Sequence, residues 1–319
     1  MVAVECAGRA VGTQAMSKHC VVLGANGFIG SHVCEALLHA GHRVVAFDIC
    51  HEFTALSPHP QLRCVTGDFL DRETVRQTVA GADWVFHLVC TTLPASSNAN
   101  MVFDVQTNVV ASIELLQICV EQGVQRLIFA SSGGTVYGVH QQQPIREDSA
   151  LAPIVSYGIT KLTIERYCYL YAVQHNLPVS VLRIANPYGP RHHGSSQGAV
   201  SVFLKQLRAG QPIHIWGDGQ VVRDYIYIQD VTTALCRAAE HPAPYLLCNV
   251  GTGVGTSLRQ LVELIHRITG VDYQVIYEPA RGFDVPKVVL DIQRAREQLA
   301  WVPQFTLEQG ILATWQSMD

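Results

Sequence analysis

The chain has 319 residues, of which 48% are apolar and 15% charged, and its formal net charge is −4. This composition is typical of a soluble globular enzyme, and the length allows two lobes with a large core. The absence of a basic block argues against a nucleic-acid surface, and no apolar run reaches the roughly eighteen residues that span a membrane. Small molecules are therefore the expected partners.

The ten cysteines do not form the pairs that disulfides or metal sites need. No C-x-x-C pair occurs, and the adjacent His192 and His193 are poorly spaced to bind one ion, so no metal is expected. The pattern instead predicts buried free thiols in a reducing cytoplasm. This prediction rests on cysteines inside apolar stretches, namely Cys34, Cys90, Cys119, Cys236 and Cys248.

Residues 1–17 lack the apolar core of a signal peptide and are predicted to be a disordered extension without assigned function. From residue 18 to 185, strand and helix patterns alternate, which predicts an α/β fold with a Rossmann-type, doubly wound parallel sheet. Residues 186–319 are predicted to form a smaller substrate lobe, although segments near 230–255 could return to the first lobe. The predicted strands are His19–Leu23, Arg43–Asp48, Gln61–Val65, Asp83–Leu88, Gln125–Ala130, Pro178–Ile184 and Tyr245–Val250, and the predicted helices include Asp71–Ala80, Asn100–Glu121, Ile154–His175 and Asp230–Glu240.

The first predicted strand ends in three glycines spaced three apart, Gly24, Gly27 and Gly30, and an amphipathic helix pattern follows. Glycines let the backbone approach a pyrophosphate, and the N–H groups of a helix N-terminus bind it. The second strand ends in Asp48, at the place where a carboxylate accepts hydrogen bonds from the adenosine ribose and repels a 2′-phosphate. This unit predicts NAD binding. The alternatives are that the glycine turn binds no ligand and that Asp48 only caps a turn.

Tyr157 and Lys161 lie four residues apart in a predicted helix, so their side chains share one face. A free tyrosine has a pKa near 10, and a neighbouring ammonium together with a positive nicotinamide ring can lower it enough for the phenol to act as a base. The segment from Phe129 to Gly138 lies at the carboxyl end of the fifth strand. Its hydroxyl side chains and exposed glycine backbone would face the reactive end of the cofactor. A surface tyrosine–lysine pair and a simple serine–glycine turn are the alternatives.

These motifs occur in order from about residue 18 to the C-terminus and together resemble the extended short-chain dehydrogenase/reductase family. Within that family the chain most resembles the nucleotide-sugar 4-epimerases. The matching segments are the glycine turn, Asp48, Gly67-Asp68-Phe69, Asn108, Ser131-Ser132 with Val136-Tyr137-Gly138, Tyr157 with Lys161, Arg183 to Arg191, Arg223-Asp224-Tyr225 and Arg281 to Pro286.

The resemblance implies roles in binding NAD. Asp68 and Phe69 would flank the adenine, Asn108 would orient structure beneath the active site, and Ser131 would touch the nicotinamide side. Lys161 would also hold the nicotinamide ribose. The full set of implied cofactor-binding residues is Gly24, Asn26, Gly27, Phe28, Ile29, Gly30, Asp48, Asp68, Phe69, Leu88, Val89, Cys90, Asn108, Ser131, Tyr157 and Lys161.

The resemblance also implies a UDP-sugar site. Asn186 would hold the sugar diphosphate, and Arg223 and Arg281 would bind its phosphates, as guanidinium groups do well. Each arginine could instead form an ordinary ion pair with a nearby aspartate. Arg191 belongs to the same implied set, and Val288 would leave room near sugar C2 for an N-acetyl group.

One position departs from the family pattern. The catalytic serine or threonine of the family would stand at Gly133, so its hydroxyl must come from Ser132, Thr135 or a water, with Thr135 slightly favoured. The family's 4,6-dehydratases carry an Asp-Glu pair where this chain has Gly134-Thr135, which argues against dehydration.

The resulting prediction is a cytoplasmic, NAD-dependent enzyme that inverts C4 of a UDP-hexose through a 4-keto sugar. Tyr157 would take the proton from the C4 hydroxyl, and NAD would be regenerated in each cycle. A 4-ketosugar reductase that consumes NAD(P)H and a non-catalytic NAD-binding scaffold are the alternatives. The resemblance further implies a homodimer through the helices at 100–121 and 154–175, and polysaccharide supply is the expected setting.

Overall fold

The computed structural model describes residues 17–192, 198–282 and 284–318. Up to residue 184 the chain alternates strands and helices, as its apolar patterns predict. The elements of this part are β1 (His19–Leu23), α1 (Phe28–His39), β2 (Arg43–Asp48), β3 (Leu62–Thr66), α2 (Arg72–Val79), β4 (Trp84–His87), α3 (Met101–Asp104), α4 (Ala111–Glu121), β5 (Arg126–Ser132), α5 (Ser156–Gln174) and β6 (Val179–Ile184).

The rest of the described chain forms shorter elements. These are β7 (Asn186–Tyr188), α6 (Ala199–Arg208), β8 (Ile213–Trp216), β9 (Val222–Tyr227), α7 (Ile228–Ala239), β10 (Tyr245–Val250), β11 (Gly255–Ser257), α8 (Leu258–Thr269), β12 (Val275–Glu278), β13 (Lys287–Val288), α9 (Gln293–Leu299) and α10 (Leu307–Gln316).

The central sheet has seven strands in the order β10-β6-β5-β4-β1-β2-β3. Every pairing within it is parallel. Helices α1 and α7 pack together over one face, whereas α2, α4 and α5 pack over the other. This arrangement confirms the predicted doubly wound α/β fold, whose ligand crevice lies at the carboxyl ends of the strands.

The strands β1, β2 and β10 have the predicted bounds, because each is a buried apolar run with polar flanks. The long predicted helix Asn100–Glu121 differs in one respect. Between α3 and α4 the chain forms a π-helical segment, Val105–Val110, instead of continuing as an α-helix. A helical apolar pattern cannot reveal this wider turn, which is frequent at functional sites.

The chain after residue 185 does not form a separate continuous lobe. Strand β10 pairs in parallel with β6, and α7 packs on α1, so both belong with the first sheet, as the expectation for segments near 230–255 allowed. The other strands form two small sheets, one containing β7, β9, β11 and β13 and one containing β8 and β12. The division at residue 185 itself stays a prediction.

Parts of the sequence predictions fall outside the described residues, namely His193 and the extension at 1–17 apart from Ser17.

The described cysteines are free thiols. Cys34, Cys119 and Cys248 are buried and Cys236 is partly buried, but the prediction was wrong for Cys90, which is exposed where the chain leaves β4. In the part of the chain that the structure describes, no helix is both long and apolar enough to cross a membrane.

Candidate active site

The glycine turn brings β1 and α1 close together. Gly24 has φ +84°, and a Cβ atom on it would lie 3.1 Å from the backbone of Leu88 and Val89. A Cβ atom on Gly30 would overlap the carbonyl oxygen of Gly24, so this third glycine lets the helix pack on the strand. Among the described residues, the one atom near a Cβ atom on Gly27 would be the carbonyl oxygen of Gly24, at 3.2 Å. The remaining space around Gly27 is therefore open to a ligand.

The N-terminus of α1 is suited to bind an anion. It begins after Gly27 with no side-chain cap and no acidic residue in its first turn. The carboxylate of Asp48 lies beside this turn, because its Oδ2 accepts a hydrogen bond of 2.9 Å from the backbone N–H of Asn26. The pyrophosphate of a dinucleotide would lie at the N-terminus of α1, and its adenosine ribose would lie beside Asp48. The residues present therefore fit NAD.

We expect Asp48→Asn to weaken NAD binding by roughly 10- to 100-fold, because hydrogen bonds to a charged group contribute about 1.5–3 kcal/mol. The same change should narrow the preference for NAD over NADP, since the charge that repels the 2′-phosphate is removed. Calorimetric titration with each dinucleotide measures both effects. An unchanged NAD affinity would contradict the role of Asp48.

The residues expected around the adenine and along the cleft follow β3 and β4. Asp68 is exposed and accepts a hydrogen bond from the backbone N–H of Leu70. Phe69 is buried, with its ring 5.2 Å from that of His87. Leu88 and Val89 are partly buried, and Cys90 is exposed. All lie at the carboxyl edge of the sheet, next to the glycine turn.

Tyr157 and Lys161 lie near the N-terminus of α5. The backbone N–H groups of Ser156 and Tyr157 donate to the side chains of Asn98 and Ser97, which fixes the start of the helix. The Nζ atom of Lys161 is buried, donates to the carbonyl oxygen of Ala130 at 2.9 Å and lies 5.7 Å from the centroid of the Tyr157 ring. The pair therefore stands at the end of β5, where the resemblance implies chemistry.

Burial raises the pKa of Tyr157 well above its ordinary value, and the nearby Cys90 and Asp104 add to this effect. The ammonium of Lys161 lies beside the tyrosine ring and is hydrogen-bonded to Ala130. The lowered pKa expected from the sequence depends on Lys161 and the positive nicotinamide ring together, and it stays a prediction.

Asn108 lies in the π-helical segment and connects the cleft to α5. Its amide oxygen accepts the backbone N–H of Thr91, and its amide nitrogen donates to Oδ1 of Asp104 at 2.9 Å. The other carboxylate oxygen of Asp104, which is fully buried, accepts the hydroxyl of Ser156 at 2.6 Å. Asn108 is thus connected through Asp104 to the residue that precedes Tyr157, and the orienting role given to it stays a prediction.

The serine–glycine loop after β5 holds three hydroxyls in different states. Ser131 donates its hydroxyl to the buried Glu165, and the contact with the nicotinamide side expected of it stays a prediction. The hydroxyl of Ser132 has no hydrogen-bond partner among the described residues, and this residue is partly exposed. The Oγ1 atom of Thr135 is buried and has no hydrogen-bond partner in the part of the chain that the structure describes.

The expected substrate residues Asn186, Arg223 and Arg281 line one cavity of about 170 Å³. The alternative that an arginine only forms an ion pair with a nearby aspartate does not hold for Arg223. Its guanidinium donates only to the backbone oxygens of Val222 and Val285, and it forms no ion pair in the described part of the chain. Asp224 instead accepts hydrogen bonds from Thr252 and its neighbours. A half-buried guanidinium that forms no ion pair among the described residues favours an anionic ligand.

Arg281 differs from Arg223, because it forms the ion pair that the sequence left open. Its Nε lies 2.8 Å from Oδ2 of Asp284, and its guanidinium stacks 4.7 Å from the centroid of the Trp216 ring. Both members of the ion pair line the same cavity as Arg223.

We expect Arg223→Leu to raise the KM for the nucleotide sugar about 10- to 100-fold with a smaller change in kcat, because it removes a charge-assisted hydrogen-bond donor. The matched change Arg281→Leu should raise KM less, since solvent and Asp284 already satisfy that side chain. Steady-state kinetics on both variants test the ranking, and an equal or reversed ranking would contradict it.

Two expected substrate residues lie apart from this cavity. The side chain of Arg191 pairs with Glu35 of α1 at 2.6 Å and donates to the carbonyl oxygen of Ala55. Val288 is fully buried on β13, paired in register with Arg223. Neither residue lines the cavity that Arg223 and Arg281 share, so the roles given to them stay predictions.

The comparison with known families agrees with this geometry. The sequence model of the NAD dependent epimerase/dehydratase family matches residues 20–251. The chain belongs to this family.

Individual members of the epimerase/dehydratase family match nearly the whole chain. The UDP-glucose 4-epimerase of Mycolicibacterium smegmatis is 35% identical over 92% of this chain and 96% of its own. The crystal structure of the Thermotoga maritima UDP-glucose 4-epimerase with UDP-glucose has a TM-score of 0.89 and 35% identity, covering 94% of this chain and 98% of the other. The Thermus thermophilus UDP-glucose 4-epimerase, in complex with NAD, has a TM-score of 0.87 and 29% identity, with coverage of 94% and 98%.

In this epimerase/dehydratase, reasoning from sequence missed the residues that hold the start of α5, the helix of Tyr157 and Lys161. Ser97, Asn98, Asp104 and Ser156 form hydrogen bonds that fix the start of α5. Asn98 and Ser97 lie in a single 3₁₀ turn that has no apolar period. The one available signal was Ser156, a typical helix-start residue directly before Tyr157.

Proposed function

We propose that the protein is an NAD-dependent epimerase that inverts C4 of a UDP-hexose through a transient 4-keto sugar. The observation that carries the proposal is the position of Tyr157 and Lys161 on α5, at the end of β5 in an NAD-dependent family fold. The cavity lined by Asn186, Arg223 and Arg281 supports a diphosphate-bearing substrate. Relatives named UDP-glucose 4-epimerase over nearly the full chain support the same reaction.

The glycine turn at the start of α1 and Asp48 would hold NAD, which would supply a reversible hydride acceptor for C4 of the sugar. The side chains of this protein move the accompanying proton. Tyr157, as the phenolate, accepts the proton of the C4 hydroxyl and later gives it back, and Lys161 holds a positive charge beside the ring. A positioned base of this kind contributes roughly 10²–10⁴ in rate.

The same loop opposes dehydration. Removing water across C5 and C6 needs an acid and a base near those carbons, and Gly134 and Thr135 stand where the family's dehydratases carry them. Gly134 offers no side chain, and a threonine hydroxyl is a poor acid or base at neutral pH. A hydroxyl from Thr135 or Ser132 suits a hydrogen bond to the sugar O4.

The experiment is a product assay by proton NMR. The purified protein is incubated with NAD and, separately, with UDP-glucose, UDP-N-acetylglucosamine and UDP-glucuronate. We expect a new anomeric signal from the C4 epimer of one sugar, without net accumulation of NADH. Stoichiometric loss of NAD(P)H on a 4-keto sugar would identify a reductase instead, and nucleotide binding without turnover would identify a scaffold.

We infer the choice of sugar from Val288. A small side chain at this position supports acceptance of an N-acetyl group at C2, so UDP-N-acetylglucosamine is the substrate to test first. Val288→Tyr should lower kcat/KM for the N-acetyl sugar more than for UDP-glucose.

We also infer a cytoplasmic homodimer that supplies sugars for polysaccharides. Free thiols support the compartment. An apolar surface on α3, α5 and the π-helical segment supports the dimer, because side chains of this kind are rarely clustered on a monomer surface. Its exposed residues are Met101, Val102, Phe103, Val105, Val110, Ile159, Leu170 and Val173. Light scattering of the purified protein measures the oligomer.

A further inference from the structure

Arg191 connects α1 with the chain segment between β2 and β3. Its guanidinium binds the carboxylate of Glu35 on α1 in a bidentate manner, with Nη1 3.0 Å from Oε1 and Nη2 2.6 Å from Oε2. Nη1 also donates to the carbonyl oxygen of Ala55 at 2.9 Å. Because Ala55 belongs to the segment that follows β2, one side chain holds this segment against the helix that follows the glycine turn.

The segment after β2 is also bound to the glycine turn itself. The side-chain amide of Asn26 donates to the carbonyl oxygen of Glu52 at 2.9 Å, and its oxygen lies 3.5 Å from the backbone nitrogen of Ala55. The backbone N–H of Asn26 donates to Asp48 at 2.9 Å. Together with the bonds of Arg191, these bonds form a continuous chain of contacts from the glycine turn through the segment to α1.

The residue after Arg191 makes a second contact with the glycine turn. The imidazole of His192 stacks on the ring of Phe28, with centroids 4.4 Å apart and planes 5° apart. Phe28 is the first residue of α1 and directly follows Gly27. The Nδ1 atom of His192 also lies 3.0 Å from the hydroxyl oxygen of Ser201 on α6. Arg191 is therefore anchored beside the turn that would bind the pyrophosphate.

The backbone of Arg191 is held in an uncommon conformation. Its φ angle is +63°, in the left-handed region that residues with a side chain seldom adopt. Such a conformation persists where the surrounding contacts fix it. The side chains of Arg191 and Glu35 are 23% and 39% exposed. An isolated pair with this exposure would contribute little, but a bidentate pair within a network contributes more.

We propose that Arg191 is a positioning residue for the cofactor, which holds α1 and the segment after β2 in the arrangement that binds NAD. Arg191 acts through Glu35 and Ala55 rather than by touching NAD. It keeps the site ordered before NAD arrives, and the apparent affinity of a site depends on the fraction of molecules that are in the binding arrangement. The inference concerns NAD binding and does not rest on the proposed epimerase reaction.

Glu35→Gln is the decisive variant, because a positioning role and direct binding predict opposite results. If Arg191 positions the site through Glu35, loss of the carboxylate should raise the Kd for NAD about 5- to 10-fold. If Arg191 instead binds the anionic pyrophosphate, removal of a neighbouring negative charge should leave the Kd unchanged or lower it. Calorimetric titration of the nucleotide-free protein with NAD measures the Kd.

A double-mutant cycle extends this test. Arg191→Met should raise the Kd for NAD about 10-fold. The double variant Arg191→Met/Glu35→Gln should bind NAD no more weakly than Arg191→Met alone, because both changes break the same contact. Amide hydrogen exchange in residues 50–56 of the nucleotide-free protein should be about 10-fold faster in both single variants, because the segment is no longer held.

Arg72→Met is the matched control. It breaks an exposed ion pair of 3.1 Å with Glu121, between α2 and α4, and should change neither the Kd for NAD nor the exchange of residues 50–56. An unchanged or lower Kd for Glu35→Gln would overturn the proposal, and so would additive losses in the double variant. A raised KM for the nucleotide sugar in Arg191→Met, at unchanged NAD affinity, would also overturn it and favour the substrate role implied by the sequence.

Discussion

Replacing Tyr157 with phenylalanine should lower kcat for epimerisation about 10³-fold and leave NAD binding unchanged. The hydroxyl is the only atom removed, and positioned proton transfer contributes roughly 10²–10⁴ in rate. The backbone hydrogen bond from residue 157 to Ser97 and the bond from Ser156 to Asp104 do not involve this hydroxyl, so α5 keeps its place. The NMR product assay and a calorimetric NAD titration on the same preparation measure the two effects separately.

Tyr169→Phe is the matched control, since it removes an exposed tyrosine hydroxyl from the same helix. It should leave both turnover and NAD affinity unchanged. If Tyr157→Phe kept more than about a tenth of the activity, the general-base role would be wrong, because that loss lies below the usual range. If NAD binding were also lost, the loss of activity would show that the substitution disrupts the folded cleft.

The second large effect is expected at the buried ion pair between α5 and β6. Glu165→Gln should lower the free energy of unfolding by about 3–5 kcal/mol, because it leaves the Arg183 guanidinium buried without a counter-charge. The side chains of Arg183 and Glu165 are 1% and 3% exposed and lie 2.7 Å apart. Arg183 also donates to the hydroxyl of Tyr137, which in turn donates to Asn249 on β10. Urea unfolding of the NAD-free protein measures the loss.

The control for this prediction is Asp148→Asn, which breaks the exposed pair between Asp148 and Arg146. Solvent screens such a pair, so no measurable shift of the urea midpoint is expected. Equal midpoints for Glu165→Gln and the original protein would show that the buried pair does not hold β6 to α5.

The glycine turn and the placement of Tyr157 and Lys161 on one helix could be predicted because each depends on local sequence. Gly24, Gly27 and Gly30 follow a buried strand directly, and Asp48 ends the next strand, so topology alone brings them together. Tyr157 and Lys161 are four residues apart in one helix, and that spacing fixes their common face. Elements of this kind need no knowledge of distant contacts.

The interactions between distant segments could not be predicted. Leu290 opposes Gly133, and Arg191 pairs with Glu35 rather than lining the cavity of Arg223 and Arg281. Neither contact leaves a periodic pattern, since each joins segments more than about a hundred residues apart. The raised pKa of Tyr157 is a similar case, because burial in the assembled fold causes it.

Strand β10 forms one edge of the central sheet, next to β6. Since β6 lies between β5 and β10, a fragment that stops near residue 185 would expose the backbone N–H and C=O groups along one side of β6. It would also lose α7, which covers the apolar side of α1. Such an unpaired, apolar strand edge is prone to aggregation. We therefore expect that a fragment ending near residue 185 does not fold independently, and that chain cleavage between β6 and β10 is tolerated only if both pieces remain associated.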